Sequence, residues 1–229
     1  MTEHTTTDKT LADAGTGPLS TEEFWDARYR AAERIFSGRP NDALVRETAP
    51  LRPGTALELG CGEGGDAIWL AGQGWTVTAT DVSSVALGRA AGQARAAGVD
   101  DRIDWQRHDL AESFPAGTYD LVSAHFLYPP EPSARERILR RAARSVAPGG
   151  VLLIVSHAGP PPWEQDPDPD FVFPAPEQLH AALDLPPEQW DTLAAETYER
   201  PATAPDGRPA TRLDSTLKLH RHPDRARAL

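Results

Sequence analysis

The chain has 229 residues, a net charge of −11, 39% hydrophobic residues and one cysteine, Cys61, so no internal disulfide can form. That length suits one α/β domain with a sizeable core, while the acidic balance argues against a nucleic-acid partner, whose phosphates need a basic face. No apolar run approaches the roughly 18 residues of a membrane span and the polar N-terminus lacks an apolar signal core, so a soluble cytoplasmic protein with no membrane partner is expected.

Residues 1–19 are polar and poor in apolar side chains, which predicts a flexible tail. From residue 20 onward one continuous domain, 20–229, is expected. Ser20 or Thr21 can cap a helix with Glu22 and Glu23 in its first turn. Trp25 and Tyr29, four residues apart, share one face of that helix. The face either docks the helix on the sheet or, with residues 20–50 as a whole, forms a lid over a ligand. A short helix over 41–49 should end before Pro50 and Pro53.

The run Ala56–Leu59 reads as a buried strand, the glycine cluster Gly60, Gly62, Gly64 and Gly65 as a tight loop, and the stretch to Gly72 as a helix. Strand 75–80 follows, then an alanine-rich helix from Ser83 or Ser84 to about Ala97, stopped by Gly98. Strands are expected at 103–107, 119–124 and 151–156, with a helix over 133–146. That helix shows an apolar face and five arginines (135, 137, 140, 141, 144) expected on a solvated face. The proline- and acid-rich stretch 159–174 should be irregular and could border a substrate mouth. A short helix over 176–183 precedes two strands, 190–198 and 212–220, joined through the turn signal Pro205-Asp206-Gly207.

A glycine loop between a strand and a helix lets a ligand approach the backbone and the helix N-terminus. Gly60, Gly62 and Gly65 formally satisfy a dinucleotide-binding pattern, which is weak alone. Three acids stand at three successive strand ends: Glu58, Asp81 and Asp109. They suit a ligand with ribose, adenine and a cationic tail better than a pyrophosphate. The motifs Glu58-Leu59-Gly60-Cys61-Gly62-Glu63-Gly64, Asp81, Asp109-Leu110, Tyr119-Asp120-Leu121-Val122 and Pro148-Gly149-Gly150, in that order, resemble the class I S-adenosylmethionine-dependent methyltransferases. The segment Phe24–Tyr29 followed by Ser37–Asn41 is similar to the N-terminal segment of the tellurite-resistance and thiopurine-type branch.

That resemblance implies a Rossmann-like, doubly wound α/β fold with a seven-stranded, mostly parallel sheet ending in an antiparallel hairpin. It implies S-adenosylmethionine as cofactor and a small-molecule acceptor, in a monomer or homodimer. The cofactor-binding residues would be Trp25, Tyr29, Glu58, Gly60, Gly62, Gly64, Asp81, Val82, Asp109 and Leu110. Asp81 would take the ribose hydroxyls, Val82 and Leu110 the adenine faces, and Asp109 the adenine amino group.

His125 and His157 follow the strands at 119–124 and 151–156, so either could be a catalytic base. The sequence shows no acid–base pair with clear spacing, and the resemblance to the tellurite-resistance and thiopurine-type branch implies soft acceptors such as thiols or metalloid anions, for which alignment and desolvation suffice. A pocket lined by Tyr29, His125, Phe126, His157 and Trp163 is expected. Cys61 reads as a packing residue, and no metal-ligand spacing is visible. The alternatives are a cofactor-binding protein without transfer activity and an NAD-linked oxidoreductase. The second is weakened because the only lysines, Lys9 and Lys218, offer no Tyr-x-x-x-Lys pair.

Overall fold

The computed structural model describes residues 19–129, 131–166, 168 and 171–224. The expected tail therefore lies outside the described residues, apart from the exposed Leu19. So do three positions of the proline- and acid-rich stretch, whose described part forms no helix or strand.

Helix α1 (Thr21–Arg30) begins with a capping box: Glu23 N donates to Ser20 Oγ, and Ser20 N donates to Glu23 Oε2. Helix α2 (Asp42–Thr48) stops just before Pro50. Then β1 (Thr55–Leu59), α3 (Gly65–Gly72), β2 (Thr76–Asp81), α4 (Ser84–Ala97) and β3 (Ile103–Arg107) alternate as expected. Strand β4 (Tyr119–His125), α5 (Pro132–Arg144), β5 (Val146–His157), α6 (Pro176–Leu183), β6 (Trp190–Thr203) and β7 (Pro209–Arg221) complete the chain.

The seven strands lie in the order β3-β2-β1-β4-β5-β7-β6. The first five are mutually parallel, and β7 pairs antiparallel to both β5 and β6. The order reverses between β1 and β4, which opens a crevice at their C-terminal ends, where open α/β sheets place ligands. Helices cover both faces, so neighbouring strand residues enter opposite cores. Leu57, Val122, Leu152 and Leu217 face one core; Ala56, Leu121, Leu153 and Val155 face the other. Each fully buried leucine contributes about 1.5–3 kcal/mol, so the central strands are the rigid frame from which the site loops project.

Three expectations are corrected. Helix α5 ends at Arg144, and Val146 instead pairs with Tyr119 at the start of β5. The register then jumps to Leu121↔Val151, so Pro148–Gly150 is a bulge inside the strand. The C-terminal hairpin extends to Thr203↔Pro209, well beyond the expected strand ends. The α5 arginines do not form one solvated face. Arg135 reaches Ser156 Oγ at 2.5 Å, Arg140 the Ala182 carbonyl at 2.7 Å and Arg141 the Leu110 carbonyl at 3.1 Å. Their long stems run along apolar surface to internal acceptors.

Candidate functional site

The site lies at the C-terminal ends of β1, β2, β4 and β5. Gly60 (φ +72°) and Gly62 (φ +53°) turn the chain sharply after β1. Their left-handed backbone excludes ordinary side chains. A Cβ on Gly62 would also lie 3.0 Å from Tyr29 Oη. The loop is tied to β2: Cys61 N donates to Thr80 O at 2.8 Å and Gly62 N to Asp81 Oδ2 at 2.8 Å. Asp81 Oδ1 accepts from Ser83 N, and Ser83 caps α4. Asp81 thus joins the loop to a helix start while lining the cavity. Burial raises its carboxyl above the ordinary range, against the pull of those N–H bonds.

Glu58 is 5% exposed, and its Oε2 is buried with no hydrogen-bond partner among the described residues. Burial, then the charges of Asp66 and Asp81, push its carboxyl well above the usual range. Such an acid is at rest only as the neutral form or beside a cationic ligand group. With Asp81 and Asp109 it gives the cavity a carboxylate set that fits ribose hydroxyls and an ammonium, and that opposes a pyrophosphate. Trp25, Tyr29, Glu58, Gly60, Gly62, Asp81, Val82, Asp109 and Leu110 all line this one cavity. Gly64 does not. It is the left-handed cap of α3, and a Cβ there would meet Ala90 Cβ at 2.8 Å and Trp105 at 2.9 Å. Its place is at the α3–α4 contact.

Residues 31–41 form a strap across the loop. Glu63 Oε2 accepts from Ile35 N (3.1 Å) and Phe36 N (3.0 Å), while Arg89 Nη1 meets Glu63 Oε1 at 2.8 Å. Arg89 Nη2 also donates to the Tyr29 and Ala32 carbonyls. Asp26 anchors α1 by accepting from Ser83 Oγ at 2.5 Å and Ser84 Oγ at 3.1 Å. At the strap's end, Asn41 donates to Asp66 through both N (2.6 Å) and Nδ2 (2.8 Å).

The opposite wall holds two histidine–aspartate pairs that no sequence spacing reveals. His125 Nδ1 lies 2.7 Å from Asp66 Oδ2, and His157 Nδ1 lies 2.8 Å from Asp214 Oδ1. Burial alone would raise Asp66, but the His125 and Asn41 bonds outweigh it and hold the carboxyl below its usual range. Asp214 behaves likewise, held down by His157 and by Arg200 Nε at 2.5 Å. Burial keeps His157 below the ordinary histidine range despite its aspartate. The His157 ring sits between Phe126 (centroids 4.5 Å apart) and Tyr128 (5.8 Å). Phe126 itself adopts φ +50°, an uncommon conformation for a bulky residue and a frequent mark of functional sites.

Of the expected pocket lining, Tyr29, His125, Phe126 and His157 are present, whereas Trp163 is not. Trp163 packs instead beneath the Arg212 guanidinium, 5.8 Å from its ring. Among the described residues no cluster of metal-ligating side chains occurs, and no helix is long and apolar enough to cross a membrane.

Residues 56–150 match the model of a methyltransferase domain family. The chain is 31% identical over 145 residues to a probable chloroplastic tocopherol O-methyltransferase of Oryza sativa subsp. japonica, covering 62% of this chain and 40% of that protein. It is 27% identical over 149 residues to probable thiol methyltransferase 2 of Arabidopsis thaliana, covering 61% of this chain and 66% of that one. The chain therefore spans less than two thirds of either relative's length. The crystal structure of TehB from Haemophilus influenzae shares the fold, with a TM-score of 0.61 at 20% identity over 88% of this chain and 67% of that one.

Proposed function

We propose, from the class I S-adenosylmethionine-dependent methyltransferase domain that this chain carries, that the protein transfers a methyl group to a small-molecule acceptor by direct displacement. One observation carries the reading: a single cavity has the glycine loop and the acids Glu58, Asp81 and Asp109 on one side, and the paired histidines at the ends of β4 and β5 on the other. When bound, S-adenosylmethionine supplies a methyl group already activated on a sulfonium. Glu58 would hold the amino group, Asp81 the ribose hydroxyls and Asp109 the adenine amino group, with Val82 and Leu110 on the ring faces. The 31–41 strap would exclude water, leaving the far wall to align the acceptor.

A small-molecule acceptor is supported by the relatives, which are named for tocopherol and thiol methylation. The sequence's single cysteine and the absence of a long apolar helix among the described residues accord with a cytoplasmic setting. Five carboxylates line the cavity (Glu58, Glu63, Asp66, Asp81 and Asp109), which disfavours the dinucleotide alternative on charge. Calorimetry with S-adenosylhomocysteine and with NAD tests the reading. A dissociation constant near micromolar, about −8 kcal/mol, is expected for the first, with no comparable heat for NAD. The reverse pattern would overturn it. Transfer of label from methyl-labelled S-adenosylmethionine to members of a small-molecule panel then tests the activity.

A further inference from the structure

We propose that His125, oriented by Asp66, is the general base of the transfer, so that the acceptor atom carries an O–H, N–H or S–H proton that leaves as the methyl group arrives. This rests on the methyl-transfer reading above and narrows it, replacing the expectation of a transfer that needs no base.

Both partners are buried, with side chains 5% (His125) and 4% (Asp66) exposed, and Nδ1 lies 2.7 Å from the carboxylate. Asp66 already accepts two N–H donors from Asn41, so it stands as a carboxylate. The proton on the Asp66–His125 bond therefore belongs to Nδ1. That fixes the tautomer and leaves the lone pair on Nε2. Nε2 is buried and meets no hydrogen-bond partner among the described residues, and His125 lines the cavity. An acceptor nitrogen without a partner, on the wall of the cavity, is what a proton-taking group requires.

Register places it beside the methyl donor's expected position. Leu59 of β1 pairs with Ala124 of β4, so His125 stands level with Gly60, the first residue of the glycine loop. The chain turns immediately afterwards at Phe126, in its left-handed conformation, with Phe126 N tied to Val155 O at 2.9 Å. His157 is placed differently. Its ring is enclosed between Phe126 and Tyr128, and its aspartate is shared with Arg200. We assign it to shaping the wall.

The step balances without another reactant. The acceptor's lone pair forms the bond to the methyl carbon, and the carbon–sulfur bond breaks with its electron pair going to sulfur. The acceptor's proton passes to Nε2, and the resulting imidazolium is stabilised by the Asp66 charge before it releases the proton to solvent. Charged and titratable groups that also line the cavity include Glu58 on β1, Glu63 in the glycine loop, Asp81 on β2, Asp109 after β3, His157 on β5 and Arg200 on β6. Asn41 is a positioning residue: it holds Asp66 from the strap, so the same segment that covers the glycine loop also sets the base.

The test uses the full chain with nitrogen-15-labelled imidazoles. In the protein alone, His125 should show the Nδ1–H tautomer once deprotonated, and Asp66→Asn should abolish that preference. An Nε2–H tautomer in the wild type overturns the proposal. With labelled S-adenosylmethionine, phenol, 2-mercaptoethanol and dimethyl sulfide serve as acceptors; the last has no proton to lose. Expected is product from phenol or 2-mercaptoethanol, with turnover about 10²–10⁴-fold lower in His125→Gln. S-adenosylhomocysteine affinity should be unchanged in His125→Gln, which also shows that the variant is folded. Methylation of dimethyl sulfide alone, or full turnover by His125→Gln, overturns the proposal. Failure of the wild type to bind S-adenosylhomocysteine would overturn the methyl-transfer reading instead, and the tautomer result would stand apart from it.

Discussion

Glu63 and Arg89 form an ion pair under the strap, with Oε1 and Nη1 2.8 Å apart and the glutamate side chain 2% exposed. The pair joins three segments, because Glu63 also receives the Ile35 and Phe36 amides and Arg89 also reaches the Tyr29 and Ala32 carbonyls. Arg89→Ala removes the counter-charge and two carbonyl donors, leaving a buried carboxylate with only the two amides. Losing one partner of a buried pair costs about 3–5 kcal/mol; the partial exposure of Arg89 lowers this to about 2 kcal/mol. Urea unfolding should show that loss, with an unchanged slope. A loss below about 0.5 kcal/mol would show that the strap is held elsewhere.

The strap's contacts land on the glycine loop at Glu63, on α3 at Asp66 and on α4 at Arg89 and Gln93. A ligand resting on that loop should therefore suppress local opening of residues 31–41. Hydrogen exchange at Ile35 and Phe36 should slow when S-adenosylhomocysteine is added, and Arg89→Ala should speed it without ligand. Identical exchange with and without ligand would reduce the strap to packing.

Asp81 serves two ends at once, holding Gly62 N–H and Ser83 N–H while lining the cavity. Asp81→Asn keeps an oxygen for one of these bonds but loses the charge toward ribose hydroxyls. Affinity for S-adenosylhomocysteine should fall by about 2 kcal/mol, some thirtyfold. If only unfolding stability falls and affinity holds, Asp81 is a cap and not a ligand contact.

The legible features are those written locally. The glycine loop, the acids at strand ends and the strand–helix alternation each sit within a few residues of sequence, and each recurs in the structure. What escaped is set by separation. Asp66 stands 59 residues from His125, and His157 stands 57 from Asp214, so no spacing rule links them. Gly64, the left-handed cap of α3 set against Ala90 and Trp105, shows a further limit: glycines that admit a ligand and glycines that admit a neighbouring helix look alike in sequence. The α5 arginines were misread because periodicity tells which face is apolar, not whether a long side chain at its border turns inward.

Glu58 and His157 bias the pH dependence of stability in opposite directions. His157 is held below its ordinary value, so its neutral form is favoured in the fold. Its contribution is present above about pH 6.5 and fades as pH falls toward the folded value. Glu58 is held well above its ordinary value. Its contribution is complete below about pH 4.3 and is lost as pH rises through the folded value. At neutral pH the ligand-free protein therefore carries a strained acid whose Oε2 has no partner among the described residues. Glu58→Gln relieves that strain and should stabilise the ligand-free protein at pH 7 by about 1 kcal/mol, with the gain shrinking toward pH 4. The same change removes the negative charge offered to the cofactor's amino group, so S-adenosylhomocysteine should bind about tenfold more weakly. Thermal unfolding across pH, with and without ligand, reads both effects in one series. A variant that is less stable at pH 7, or that binds the ligand as tightly as the wild type, would show that Glu58 braces the loop and takes no part in binding.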